Sequence, residues 1–191
     1  MDTRTLPRQL LSIKDYLSLG EVEPGFTELV EGRLLFSPTP DPRHSRATYA
    51  LACQLYEQLP DGFQPIPRVD IDLCLAPDGA PGFSRCPDIS VTTSAAIART
   101  GEDDPLRAED VVLVIEVAAA GSQRTDFVDK HREYADAGIP QYWILDLSDP
   151  ITLTVCRLDR DLGYRNAPAV TGKFRTAEPF SFALDLAALL D

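Results

Sequence analysis

The sequence is short of the residues that build ready-made chemical sites. Four cysteines occur among 191 residues, and none forms a CxxC pair. Only two histidines are present, His44 and His131. Zinc clusters need tighter ligand spacing than Cys53, Cys74, Cys86 and Cys156 offer, so these read as reduced thiols in packed segments. No GxxxxGK phosphate loop occurs, which removes support for nucleoside triphosphate chemistry. Long apolar runs are missing too. The run at residues 111–115 is cut by Glu116, whereas a membrane-spanning helix needs about 20 apolar residues. The opening MDTRTLPRQLL lacks the basic start, apolar core and small-residue cleavage site of a signal peptide, so a cytoplasmic location is expected.

Basic residues are also scarce. Eighteen Lys and Arg stand against 30 Asp and Glu, a net charge of −12. That balance excludes a protein that coats nucleic acid by bulk charge. It leaves room for an enzyme with local basic groups, because a metal site itself needs carboxylates. Hydrophobic residues at 44% and charged residues at 25% describe an ordinary globular chain. Its length suits one domain over residues 1–191.

Periodicity sets out the elements. Residues 12–19 read as a short helix with Ser12 as N-cap. FTELVEGRLLFS reads as a hairpin turning at Glu31-Gly32. From 43 to 59 the apolar residues recur at helical spacing, and residues 64–75 alternate as a strand or bent pair of strands. Residues 77–86 and 98–110 read as loops. Residues 111–117 read as a strand buried on both faces. A helix is expected over 123–137, ended by Gly138 and Pro140. Strands follow at 142–147, 151–158 and near 173–175, with a final helix over 184–190. This order predicts an α/β fold, one sheet with helices on both faces. Residues 111–147 have the pattern of a crossover between parallel strands.

Within this frame Glu116 interrupts VVLVIEV, and a carboxylate in a buried strand is costly unless it is paired or binds a cation. Asp88, after Pro87, opens a strand over residues 89–92. Two acids at the ends of adjacent strands suit Mg²⁺, which takes one or two carboxylates plus waters and phosphate oxygens. The backbone carbonyl of Val117 can add a ligand. Asp126, Lys130 and Tyr134 lie four apart on one helix stripe, and an amine there can orient water or offset phosphoryl charge. Taken singly, each has a plainer reading. Asp88 suits a turn, Glu116 a structural ion pair, and Asp126 with Lys130 a surface pair. His44 and His131 read as solvent-facing or capping groups, and Trp143 as core. Only the joint pattern speaks for a site.

That joint pattern resembles a known family. PDISVT, then VLVIEVAAAGSQRTDFVDKHREYADAGIPQYWILDL, together with the opening FTELVEGRLLFSPTPDPRH and the closing stretch 180–190, resembles the bacterial Uma-type family of restriction-endonuclease-like proteins, within the PD-(D/E)XK nuclease superfamily. The resemblance implies a mixed β-sheet core flanked by helices and a metal-dependent endonuclease. Asp88 matches the acid of the PD element and Glu116 the second acid. The usual lysine position two residues later holds Ala118, and Lys130 matches the lysine that this family supplies from the following helix. Glu28 matches an acid that adds to the metal shell; Asp126 and Tyr134 match family positions with no assigned role, and they read as supports that hold Lys130. The chain departs from the family at Ala118, Ala119 and Ala120, where leucine, serine and proline are usual, and at Gln141, where a glutamate is common. The implied catalytic set is Asp88, Glu116 and Lys130, the cofactor Mg²⁺ or Mn²⁺, and the substrate nucleic acid, DNA being the first expectation. A homodimer is compatible with a cleft-type site. The alternative is a catalytically quiet module of this fold that binds a partner.

Overall fold

The computed structural model describes residues 9–20, 26–37, 39–118 and 125–191, with side chains from Phe127 onward in the last stretch. Ser12 caps helix α1 (Ile13–Ser18) as expected. Its Oγ accepts from the Asp15 N–H while Asp15 accepts from the Ser12 N–H, which satisfies two end groups at once. Strands β1 (Phe26–Val30) and β2 (Arg33–Ser37) form the hairpin. Its turn residues Glu31 and Gly32 have φ of 50° and 73°, the left-handed pair that a two-residue hairpin turn requires. A Cβ on Gly32 would meet the Leu11 backbone at 2.9 Å. Glycine therefore lets three segments meet: the Leu11 N–H bonds to the Gly32 carbonyl, and the Gly32 N–H to the Gly82 carbonyl.

The hairpin belongs to a five-stranded sheet of order β2-β1-β5-β4-β7, where β4 is Ile71–Asp72, β5 is Ser84–Arg85 and β7 is Leu106–Arg107. The second sheet has six strands in the order β11-β10-β9-β8-β6-β3. These are β3 (Phe63–Pro67), β6 (Ile89–Thr93), β8 (Val111–Ala118), β9 (Gln141–Asp146), β10 (Thr152–Asp159) and β11 (Gly163–Asn166). Strands β8 and β9 pair in parallel, as the crossover pattern predicted, and every other pairing in this sheet is antiparallel. A small ribbon, β12 (Lys173–Thr176) with β13 (Phe182–Asp185), completes the β-structure.

Strand β8 is sealed on both faces. Leu113, Ile115 and Val117 pack with Ala47, Leu51 and Leu55 of helix α2 (Pro42–Gln58) and with Trp143. Val114 and Ala118 pack with Tyr134 of helix α4 (His131–Asp136), Tyr142 and Ile144. Helices thus cover both faces of this mixed six-stranded sheet, but the single sheet expected is divided: the hairpin joins three short strands in a second sheet, and β12 with β13 stands apart.

Several elements differ from the sequence expectation. The stretch 64–75 divides between two sheets, β3 and β4. Both loops hold short structure: β5 in the first, and β7 with a 3₁₀ turn (Ala108–Asp110) in the second, while helix α3 (Ser94–Arg99) precedes it. The helix after β8 begins as a π-helical turn, Thr125–Lys130, before α4, and residues 123 and 124 lie outside the described set. The expected closing helix is instead β13 and one 3₁₀ turn, Ala187–Leu189, because Phe182 and Leu184 alternate into the core beside Trp143. Among the described residues no helix is long and apolar enough to cross a membrane.

Candidate functional site

Strands β6 and β8 run antiparallel, with Ile89 opposite Ile115. Extending that register by one residue sets Asp88 opposite Glu116, and cross-strand partners share a face. Asp88 Oδ2 accepts from the Val117 N–H at 2.8 Å and lies 3.1 Å from His44 Nε2. The Arg68 N–H bonds to the Asp88 carbonyl at 3.2 Å, and Arg68 Nη1 lies 3.9 Å from Oδ1. Burial opposes charge on His44, but the hydrogen bond and charge of Asp88 outweigh it and raise the imidazole above its ordinary range.

Glu116 Oε1 accepts from Lys130 Nζ at 2.7 Å and from the Tyr134 hydroxyl at 2.8 Å. The wide π turn followed by α4 delivers both groups from one helix stripe, as the four-residue spacing predicted. Burial is the first cause that drives the Tyr134 phenol far above its ordinary pKa, and the Glu116 charge adds to it, so Tyr134 remains a donor. Lys130 also lies 3.5 Å from Glu28 Oε1. The predicted Asp88, Glu116, Lys130, Tyr134 and Glu28 are therefore gathered at one place. The side chain of Asp126 lies outside the described residues, as do Ala119 and Ala120.

Glu28 is committed elsewhere. Its Oε2 accepts from Arg85 Nη1 at 2.8 Å, and its Oε1 from the Cys86 N–H at 3.3 Å. Arg85 in turn grips Glu133 through Nε at 2.6 Å and Nη2 at 2.9 Å. Burial pushes the Glu28 carboxyl up, but Lys130 and then Arg85 hold it below its ordinary range. The chain Glu133–Arg85–Glu28–Lys130–Glu116 thus alternates in charge, and each member is at most 8% exposed. Buried charges of this kind persist only when paired.

A divalent cation here would have Asp88 and Glu116, side by side on adjacent strands, as its carboxylates. Among the described residues no group of three His, Cys, Asp or Glu side chains is arranged to hold a metal. Asp88 and Glu116 alone meet the small carboxylate demand of Mg²⁺, which completes its shell with water and phosphate oxygens. Glu28 fits that shell poorly, because a cation there would have to displace Arg85.

Four residues of this constellation escaped the sequence reading. His44 carried a signal, since it shares helical spacing with Ala47, Thr48, Leu51 and Leu55 and so falls on the buried stripe. Its reading as a solvent-facing or capping group is corrected by its contact with Asp88. Glu133 likewise lies three residues from Lys130. Arg85 and Arg68 sit in short segments with no periodicity to place them. Trp143 is core, as read, and its Nε1–H bonds to Gln141 Oε1 at 3.1 Å. His131 bonds to Asn166 at 2.8 Å, away from Asp88 and Glu116 among the described residues. All four cysteines are free thiols.

A family model described as "Putative restriction endonuclease" matches residues 13–187. Among solved structures, the chain is similar to one titled as a "putative nuclease belonging to DUF820" from Anabaena variabilis. The TM-score is 0.70 at 17% identity, over 94% of this chain and 97% of that one. At that identity the likeness shows the fold, which is the nuclease-like mixed sheet the sequence predicted. No curated protein matches the chain.

Proposed function

Because the chain belongs to the Uma2 family of that description, we propose that it hydrolyses phosphodiester bonds in nucleic acid, DNA first, at a metal site made by Asp88 and Glu116 with Lys130 beside them. One observation carries the reading. Lys130 Nζ stands 2.7 Å from Glu116, and the next residue's N–H holds Asp88 at 2.8 Å, although the three side chains come from distant parts of the chain. Mg²⁺ or Mn²⁺ at the two acids, with the Val117 carbonyl, would supply Lewis acidity and a more acidic water. His44 and Val117 orient Asp88 by holding Oδ2. Lys130, poised between Glu116 and Glu28, directs its ammonium protons at an attacking water or a phosphoryl oxygen. Tyr134 fixes Glu116 so that Lys130 has a constant partner. Glu28 acts through Lys130, and Lys130 and then Arg85 keep Glu28 ionised.

The test is metal-dependent nicking of plasmid DNA by the wild type, Lys130→Ala and Asp88→Ala. Cleavage by the wild type alone supports the reading. Equal residual cleavage by all three would trace it to a contaminant and end the proposal.

A second reading is a quiet binding module of the same fold. The pairing of Lys130 with two acids and the burial of the whole set favour it. Calorimetric titration with Mn²⁺ separates the two readings. A quiet module shows no binding that depends on Asp88 and Glu116.

A further inference from the structure

The geometry points to Arg68 as the side chain that grips the phosphodiester of the substrate, an assignment that rests on the nuclease reading above. Arg68 follows β3 and lies on the rim of the site. Its backbone has φ of 52°, a left-handed conformation uncommon for a residue with a side chain. Such conformations persist where the surroundings dictate them, and they gather at functional sites. Here the Arg68 N–H is tied to the Asp88 carbonyl at 3.2 Å, so the position of Arg68 is fixed relative to the acid.

The guanidinium makes a ring contact and one long ion pair, but no side-chain hydrogen bond among the described residues. Its Cζ lies 3.8 Å from the centroid of the Phe26 ring, a cation–π contact with a residue that is 43% exposed. Its Nε is buried and has no hydrogen-bond partner among the described residues. Buried donors of that kind are rare and call for an explanation. Its Nη1 lies 3.9 Å from Asp88 Oδ1, too far for a hydrogen bond. Arg85 shows what an arginine committed to a carboxylate looks like in this fold, with two short bonds to Glu133. Arg68 makes no such grip, although an acid is beside it. Asp88 Oδ2 is already occupied by His44 and Val117, so neutralising that oxygen does not need Arg68.

A guanidinium held against a ring, with its Nη donors in no hydrogen bond among the described residues, can offer them to two oxygens of a phosphate. Beside the two acids, that phosphate would be the one presented for cleavage or its neighbour along the strand. The local charge also answers a difficulty. A chain of net charge −12 repels nucleic acid, and a partly exposed cation beside Asp88 offsets that repulsion locally.

The experiment is fluorescence anisotropy with labelled single-stranded and duplex oligonucleotides in EDTA, over a range of salt, for the wild type, Arg68→Ala, Arg68→Lys and Phe26→Ala. Plasmid nicking by the wild type is measured in parallel. Arg68→Ala should weaken binding about tenfold, the worth of a charge-assisted pair. It should also lower the slope of log affinity against log salt by about one phosphate contact. Arg68→Lys should keep the slope but lose affinity, and it decides the matter should the alanine variant fail to fold. Phe26→Ala should weaken binding without changing the slope. Unchanged affinity and slope in both Arg68 variants, with a wild type that cleaves, would overturn the role of Arg68 and leave the nuclease reading standing. Binding that depends on Arg68 in a wild type that does not cleave would do the reverse. A wild type that binds no nucleic acid removes both.

Discussion

Arg85 and Glu133 form a two-point grip across 48 residues of sequence, with bonds of 2.6 and 2.9 Å in a fully buried setting. The same guanidinium holds Glu28, so one cation serves two acids. Replacing Arg85 with leucine leaves both carboxylates buried without it. The expected loss is about 3–5 kcal/mol of stability, the range for breaking a buried ion pair. Urea unfolding measures it, and a loss below about 1 kcal/mol would show that the network is not structural.

Tyr134→Phe removes one hydrogen bond to Glu116 and leaves packing intact. A loss of about 1–2 kcal/mol is expected, since the acceptor stays buried and keeps Lys130. Nicking should fall less than in Lys130→Ala. An equal fall would give the phenol itself a part in the chemistry.

His44 is raised above its ordinary value of 6.5 by Asp88, against the opposing effect of burial. The stability of this pair is therefore fully present below that ordinary value, and it is lost as pH rises through the raised one. Proton NMR of the imidazole should show a midpoint that drops in Asp88→Asn. A midpoint unmoved by that change would separate the two residues in solution.

Asp70 gives the opposite sign for an acid. Burial lifts it from 3.8 to about 6. Its folded form resists ionisation, so stability is lost as pH rises from the lower value through the higher. Asp70→Asn should stabilise the protein well above pH 6, by about 1–2 kcal/mol after allowance for partial exposure. The gain should vanish towards pH 4. Thermal melts at the two ends of this range test it, and a gain equal at both ends would assign the effect to something other than charge.

Much of this arrangement was legible in the sequence, and the reason is periodicity. The break in VVLVIEV announced Glu116 because a buried strand tolerates a carboxylate only with a partner. The four-residue step from Lys130 to Tyr134 put both on one helix stripe, and the fold turns that stripe onto Glu116. The hairpin was readable because Glu31-Gly32 dictates a turn. The rest was hidden because it depends on tertiary contacts with no local signature. Arg85 occupies a two-residue strand, too short to alternate. The closing segment 184–190 carries apolar residues that suit a helix, and pairing with β12 overrode that preference. His44 was misread because a single polar residue on an apolar stripe is usually satisfied by its own helix.

The π turn at Thr125–Lys130 holds one residue more than a regular α-helical course would need. Residues along a helix step by about 100°, so that surplus sets the rotational phase of all that follows. Rewinding that turn as regular α-helix with all its residues kept would advance everything after it by about one 100° step and swing the ammonium and phenol together away from their carboxylate. The chemistry would be lost with every participating side chain still encoded.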